Sequence, residues 1–317
     1  MTQKNIPSFW LDKPYYSLNA YCRKEFHEKL YKIAIDAGMT CPNRDGNLDS
    51  RGCIFCSAGG SGDFAVKSRQ LSITEQIRQG LALFGDKKTG KRFIAYFQAY
   101  TNTYAPAEKL RALYTQALAA PEIAGISIAT RPDCLPDDVL LLLAELKQAY
   151  PDKFIWVELG LQTIHQKTAD YIRRGYPLSI FTQAVNALHQ LNIPVIVHMI
   201  LGLPGETDSM VYETIRFLNT CPVSGIKLQL LHVLQNTDLA QDYAEQKFQS
   251  LTLEHYVNLV IGCLERLAPE TVIHRITGDG PKDLLIAPTW SLNKRNVLNT
   301  IHREMHLRGS WQGKELL

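Results

Sequence analysis

The feature that most constrains the fold is a rhythm of alternating segment types. Apolar, β-branched runs recur as YKIAIDA (31–37), RFIAYFQAY (92–100), GISIAT (125–130), FIWVELGLQ (154–162), PVIVHMILGL (194–203) and GIKLQLLHVL (225–234). Between them lie helix-period segments such as SITEQIRQGLALFG, PAEKLRALYTQALAA, PDDVLLLLAELKQAY, LSIFTQAVNALHQLN and DSMVYETIRFLNTC. Short buried strands joined by amphipathic helices form βαβ units and a parallel sheet. Six such units predict an α/β fold, a partial (β/α)6 TIM-like barrel, with a doubly wound sheet as the rival. Helix starts fit this pattern: Ser72 lies three residues before Glu75, a capping-box spacing, and Pro106 and Pro136 suit first turns. Residues 1–30 read as an aromatic-rich helical lead-in and residues 31–240 as the barrel. Residues 241–317, which hold a seventh apolar run, ETVIHRITGDGP (270–281), read as an α/β extension covering the barrel.

Composition narrows the class. A chain of 317 residues with 45% hydrophobic residues suits one barrel with additions. With 21% charged residues and a net charge of +3 it is not disordered, and its charge alone does not indicate nucleic acid. The start MTQKNIPSFWLDKPYY does not read as a signal peptide, and the longest apolar run, IPVIVHMILGLP, is too short to span a bilayer. Seven cysteines without a secretion signal point to a reducing, cytoplasmic setting and no membrane partner.

Three of those cysteines, Cys41, Cys53 and Cys56, fall in GMTCPNRDGNLDSRGCIFCSAGGSGDF (38–64) at spacing C-x11-C-x2-C. A closed zinc site wants a fourth ligand. Cys22, Cys134, Cys221 and Cys263 are isolated, and the H-x3-H pair His302 and His306 lies far off in the tail. The H-x-E of a zinc deaminase is missing upstream. A redox dithiol accounts for Cys53 and Cys56 but not Cys41. The remaining reading is an iron–sulfur cluster held by three thiolates, with one iron open to an outside ligand. The segment follows the first strand, so the cluster sits at the C-terminal mouth of the barrel, where active sites occur. Asn43, Arg44 and Asp45 are placed to brace the loop, and Phe55 to shield the cluster.

At this point the sequence resembles a known family. C-x11-C-x2-C with an aromatic before the last cysteine resembles the radical S-adenosylmethionine (SAM) superfamily. GISIATRPDCL (125–135) resembles the ETRPD segment of the branch that contains the Elongator catalytic subunit. VELGLQT (157–163) with IRRGY (172–176) resembles its ELGVQS and RGH segments, and VHMILGLPGET (197–207) its HMMPGLPG. IKLQLLHVLQNTDLA (226–240) resembles its sixth-strand pattern. The resemblance covers roughly residues 30–280 and is nearest to a bacterial stand-alone subgroup, some of whose members are linked to modification of the tRNA wobble uridine. There are departures. FQAYTNTY (97–104) replaces the GGE motif, Ala129 replaces the acid of ETRPD, and Tyr176 replaces the histidine of RGH. No acetyltransferase segment follows residue 280, so acetyl-CoA chemistry is not expected.

The resemblance implies a [4Fe-4S] cluster on Cys41, Cys53 and Cys56, with SAM on the open iron. It implies a one-electron donor such as flavodoxin or ferredoxin, and reductive cleavage of SAM to a 5′-deoxyadenosyl radical that takes hydrogen from the substrate. SAM contacts are expected from Gln98, Thr101 and Asn102, from Glu158 and Gln162 on one strand face, and from Arg174, His198 and Gly202. Arg131, Lys227, His232, Arg275 and Asp279 are candidates for substrate contact. Each also has a plain structural reading, as a core histidine, a turn glycine or an internal ion pair. A tail mixing Arg275, Lys282, Lys294, Arg295, Arg303 and Arg308 with Trp290 fits RNA contact or a solvated helix face. The expected substrate is the side chain of a modified wobble uridine in tRNA. A small metabolite or peptide is the alternative, and a metal-stabilised binding protein without catalysis is a third reading.

Overall fold

The computed structural model describes residues 6–60, 71–85, 90–278 and 280–316. Seven parallel strands stand side by side: β1 (Tyr31–Ile35), β2 (Phe93–Phe97), β3 (Ile123–Thr130), β4 (Phe154–Gln162), β5 (Val195–Leu201), β6 (Gly225–Leu230) and β8 (Val272–Arg275). The sheet curls into a half-barrel, as the alternation of strand and helix predicts. The outer face is a continuous apolar layer. Along β4, Ile155, Val157, Leu159 and Leu161 point out to the helices, as do Val195, Val197, Met199 and Leu201 along β5. Helices α3 (Ala107–Ala119), α4 (Asp137–Ala149), α6 (Leu178–Gln190) and α7 (Asp208–Leu218) cover them with Tyr114, Leu142, Phe181 and Ile215.

Period-two alternation turns the other residues inward, and these change character with height. At the bottom, Ile94, Trp156 and Ile196 pack on Cys22 and Leu30 beside the lead-in helix α1 (Leu18–Phe26). Above them come Tyr96, Ser127, Glu158 and Lys227, all buried. The site stands on this polar layer.

The structure adds two points. The run at 225–234 is not one strand. β6 ends at Leu230, and β7 (Val233–Leu234) leaves the barrel to pair antiparallel with β9 (Leu285–Ala287). The run at 270–281, placed by sequence in the extension, supplies β8, which pairs with β6 and makes the sheet one strand longer than six units. Ser72 caps α2 (Ile73–Ala82) as predicted, its hydroxyl accepting from Glu75 N at 3.2 Å, while Pro106 and Pro136 sit at the N-caps, one residue ahead of the first turn.

The lead-in and the chain's end close the far edge. Ile273 N donates to Tyr16 O at 2.7 Å. Gln312, 1% exposed, accepts from Tyr16 N and donates to the carbonyls of Ala268 and Thr271. α10 (Lys294–Leu307) lies on α9 (Leu253–Arg266). Trp290 is part of that packing, its Nε1 donating to Leu251 O and its ring against Tyr256. Among the described residues no helix is long and apolar enough to cross a membrane.

Sheet packing sets one test of the fold. A Cβ at Gly125 on β3 would meet Phe154 O at 2.4 Å. Gly125→Ala is therefore expected to lower stability by about 1–3 kcal/mol, read from the urea midpoint.

Candidate active site

At the C-terminal ends of the strands lies a cleft of about 300 Å³, and Cys41, Cys53 and Cys56 all line it. The loop that carries them is internally braced. Arg44 Nη2 donates to Cys56 O at 2.8 Å and to Ser57 O at 2.5 Å. Asn43 Nδ2 donates to Arg173 O at 2.7 Å and to Cys53 Sγ at 3.5 Å, and Asp45 N donates to Cys41 O. Gly52, at φ +81°, passes so close to Arg44 that a Cβ would lie 2.9 Å from its Nε. The bracing expected of Asn43, Arg44 and Asp45 is thus present. Burial, and then the neighbouring Cys56, push the Cys53 thiol up to about 12, so this sulfur becomes a thiolate ligand only against a strong positive charge. Among the described residues no three or more His, Cys, Asp or Glu side chains gather to hold a single metal ion. The three thiols line the cleft together, a donor set that suits a polynuclear cluster. His302, from the tail pair, bonds Tyr15.

Phe55, Gln98 and Thr101 line the cleft as expected, with Gln162, Arg174, His198, Arg131, His232 and Arg275. Gln162 ends β4 in the left-handed region, at φ +66°, and its buried Oε1 has no hydrogen-bond partner among the described residues. A buried acceptor without a partner costs free energy unless a ligand supplies the donor, so this atom fits an amine or hydroxyl group of a bound molecule. Arg174 is engaged elsewhere. Its guanidinium donates to the carbonyls of Leu161, Thr163 and Tyr176, fixing the β4 end that carries Gln162. Tyr176 joins the same brace, its hydroxyl donating to Gly160 O and its ring under the Arg131 guanidinium at 4.9 Å. Arg131 itself forks onto Asp133 at 2.9 and 2.7 Å.

Three expected contacts lie off the cleft. Asn102 is fully buried, and its amide donates to Phe97 O and Ala129 O, tying the ends of β2 and β3. Gly202, at φ +88°, makes its close approach to Leu251, where a Cβ would stand 3.0 Å away. Lys227 lies beneath the cleft floor, 2% exposed. Asp279 and residues 61–64 of the cysteine stretch lie outside the described residues.

The floor is a closed network around Glu158. Oε1 accepts from Lys32 Nζ at 2.7 Å and Ser127 Oγ at 2.6 Å. Oε2 takes His198 Nε2 at 2.7 Å and pairs with Lys227, whose Nζ also reaches Tyr96 OH at 2.9 Å. Burial alone would raise this carboxyl, yet Lys227, Lys32 and His198 hold it well below the usual carboxylate range. With both oxygens occupied, Glu158 organises cations and has no oxygen left for a cofactor. Lys32 and Tyr96 were not expected from sequence. A lysine or tyrosine within an apolar run was the available signal.

His198 yields a pH prediction. Burial, and then Lys227, lower its pKa from 6.5 to about 4, so it stays neutral when folded. The unfolded imidazole takes up a proton near pH 6.5, so folding loses stability as pH falls from there toward 4. His198→Asn is expected to remove about 1–2 kcal/mol of the loss between pH 7 and pH 5, measured as urea midpoints of both proteins at each pH.

Comparison with known proteins follows the same lines. The Radical SAM superfamily profile matches residues 47–218, and the Radical_SAM C-terminal domain profile matches residues 223–306. The uncharacterized protein YtqA of Bacillus subtilis is 46% identical over 315 residues, spanning 99% of this chain and 97% of that one. A tRNA uridine(34) acetyltransferase of Methanocaldococcus jannaschii is 22% identical over 189 residues, 58% of this chain and 33% of that protein. The solved archaeal Methanocaldococcus infernus Elp3 shares the fold, with a TM-score of 0.67 at 14% identity, covering 89% of this chain and 64% of that one. With that fold, and with its cysteine loop on the mouth of the barrel, the chain belongs to the radical SAM superfamily, whose members bind a [4Fe-4S] cluster and SAM.

Proposed function

We propose that this chain is a radical SAM enzyme that acts on tRNA, on the side chain of a modified wobble uridine. The observation that carries the enzymatic part is the convergence of Cys41, Cys53, Cys56 and the partnerless Gln162 oxygen on one cleft. The tRNA part is supported by the Elongator-branch segments of the sequence and by the name of the tRNA uridine(34) acetyltransferase relative.

In this reading the three cysteines hold the cluster and Arg44 locks their loop. Gln162 accepts from SAM, with Gln98 and Thr101 lining the same cleft. Phe55 shields the cluster from water, and Arg174 and Tyr176 hold the β4 end in place. Cluster and SAM together supply the one-electron chemistry that removes a hydrogen atom from an unactivated carbon; the protein orients the reactants and excludes water. A small one-electron donor such as flavodoxin or ferredoxin feeds the cluster, and both partners place the chain in the cytoplasm.

In the basic tail Arg303 and Arg308 both pair with Glu304, and Trp290, half-buried, packs on Tyr256. RNA would enter at the cleft mouth. The test is the tRNA nucleoside profile of a deletion strain. One hypermodified uridine should vanish and its precursor accumulate; an unchanged profile removes tRNA as the substrate.

A further inference from the structure

The cleft floor carries an imbalance of charge. Lys32 and Lys227 share the single carboxylate Glu158. Arg275 ends β8 in register with Lys227 on β6, half-buried and lining the cleft. Among the described residues its guanidinium makes no hydrogen bond and no ion pair. The other arginines of the cleft are committed: Arg44 to carbonyls of the cysteine loop, Arg131 to Asp133, Arg174 to carbonyls of the β4 end. Three basic side chains therefore share one carboxylate in a partly desolvated space.

Such a site is costly unless a ligand completes it. Like charges held together out of water repel, and a guanidinium in a confined cleft gains most from a bidentate oxyanion. Glu158 cannot rotate to serve Arg275, because both its oxygens are taken. Arg275 lines the same cleft as the three cysteines, and labelling with and without SAM separates an anion of the substrate from the carboxylate of the cofactor.

We infer that Arg275, backed by Lys227 and Lys32, docks an anionic group of the substrate, a carboxylate or a phosphate, on the cleft floor. This rests on the reading of the cleft as the substrate site. The cleft volume of about 300 Å³ suits a small group carried in on a longer molecule, not the body of an RNA.

The test uses the full chain, cluster-loaded, with saturating SAM. Phenylglyoxal labelling of each arginine is followed by peptide mass spectrometry, with acetate, inorganic phosphate or chloride added at equal ionic strength. Arg275 should label readily, and one of the two oxyanions should slow it roughly tenfold when added at about ten times its Kd, with chloride inert. Protection by acetate assigns a carboxylate, and protection by phosphate a phosphate. Equal labelling with all three anions overturns the inference. A parallel sample without SAM is labelled as well, and slower labelling with SAM than without it also overturns the inference, because it gives Arg275 to the cofactor. Arg275→Gln should keep the SAM affinity of the wild type and lose anion binding; a parallel loss of SAM binding counts against the proposal. No RNA enters this assay. Protection with an unchanged nucleoside profile keeps the anion site and drops tRNA, and a changed profile without protection does the reverse.

Discussion

Cys53→Ala is expected to abolish cluster loading and SAM cleavage while leaving the fold intact. The argument is geometric. Three thiols line the cleft. Cys53 is tied into the protein, receiving Asn43 Nδ2 and lying 3.7 Å from Arg173 O. Its loop is held by Arg44 and by backbone bonds that do not pass through sulfur, so alanine removes a ligand without releasing the loop. After anaerobic reconstitution, iron content and 5′-deoxyadenosine from SAM plus reductant should both fall to background. Cys134→Ala serves as the control. That thiol is 6% exposed beside Asp133, absent from the cleft wall, and should load iron as the wild type does. Full iron in the Cys53 variant would remove the ligand assignment.

The largest expected effect on stability lies in the floor. Glu158→Leu strands two lysines around a buried site and should cost about 3–5 kcal/mol, because the remaining charges lose their counterion. The double variant Glu158→Leu, Lys227→Met should recover most of that loss, since two apolar groups of similar volume replace the pair and Lys32, 20% exposed at its side chain, can turn to water. Urea unfolding of the four corners of this cycle measures it. An additive double variant would show that the pair is not coupled and would undo the account of Glu158 as the organiser of the layer.

How much of this was legible in sequence depends on what each residue's neighbours are. FIWVELGLQ (154–162) matches β4 end to end, because strict alternation between helix-facing and barrel-facing residues writes period two into the sequence. GIKLQLLHVL (225–234) misled because Leu231 and Val233 are as buried as the strand before them, in a second cluster off the barrel. Hydropathy records burial and does not record which cluster a residue joins. β8 is four residues long and returns to β6 only after α8 (Asp238–Ala244) and α9, so nothing local marks it as part of the sheet. In the site, the cysteine spacing carried its chemistry openly because all three ligands lie on one loop. Lys32 did not, since it meets Glu158 across 126 residues and only the curl of the sheet brings them together. Arg174 was read as a ligand contact from its spacing to Gln162. Spacing found two residues that line one cleft and could not tell a residue that faces the opening from one that holds its neighbour.

The tie made by Gln312 couples segments that lie far apart in the chain. β6 has its outer neighbour in residues 272–275, and beside β8 one buried side-chain amide serves Tyr16 N, Ala268 O and Thr271 O together. The fraying of the lead-in and of the tail is therefore a single event. β8, four residues long at the edge of the sheet, opens when either of them lets go.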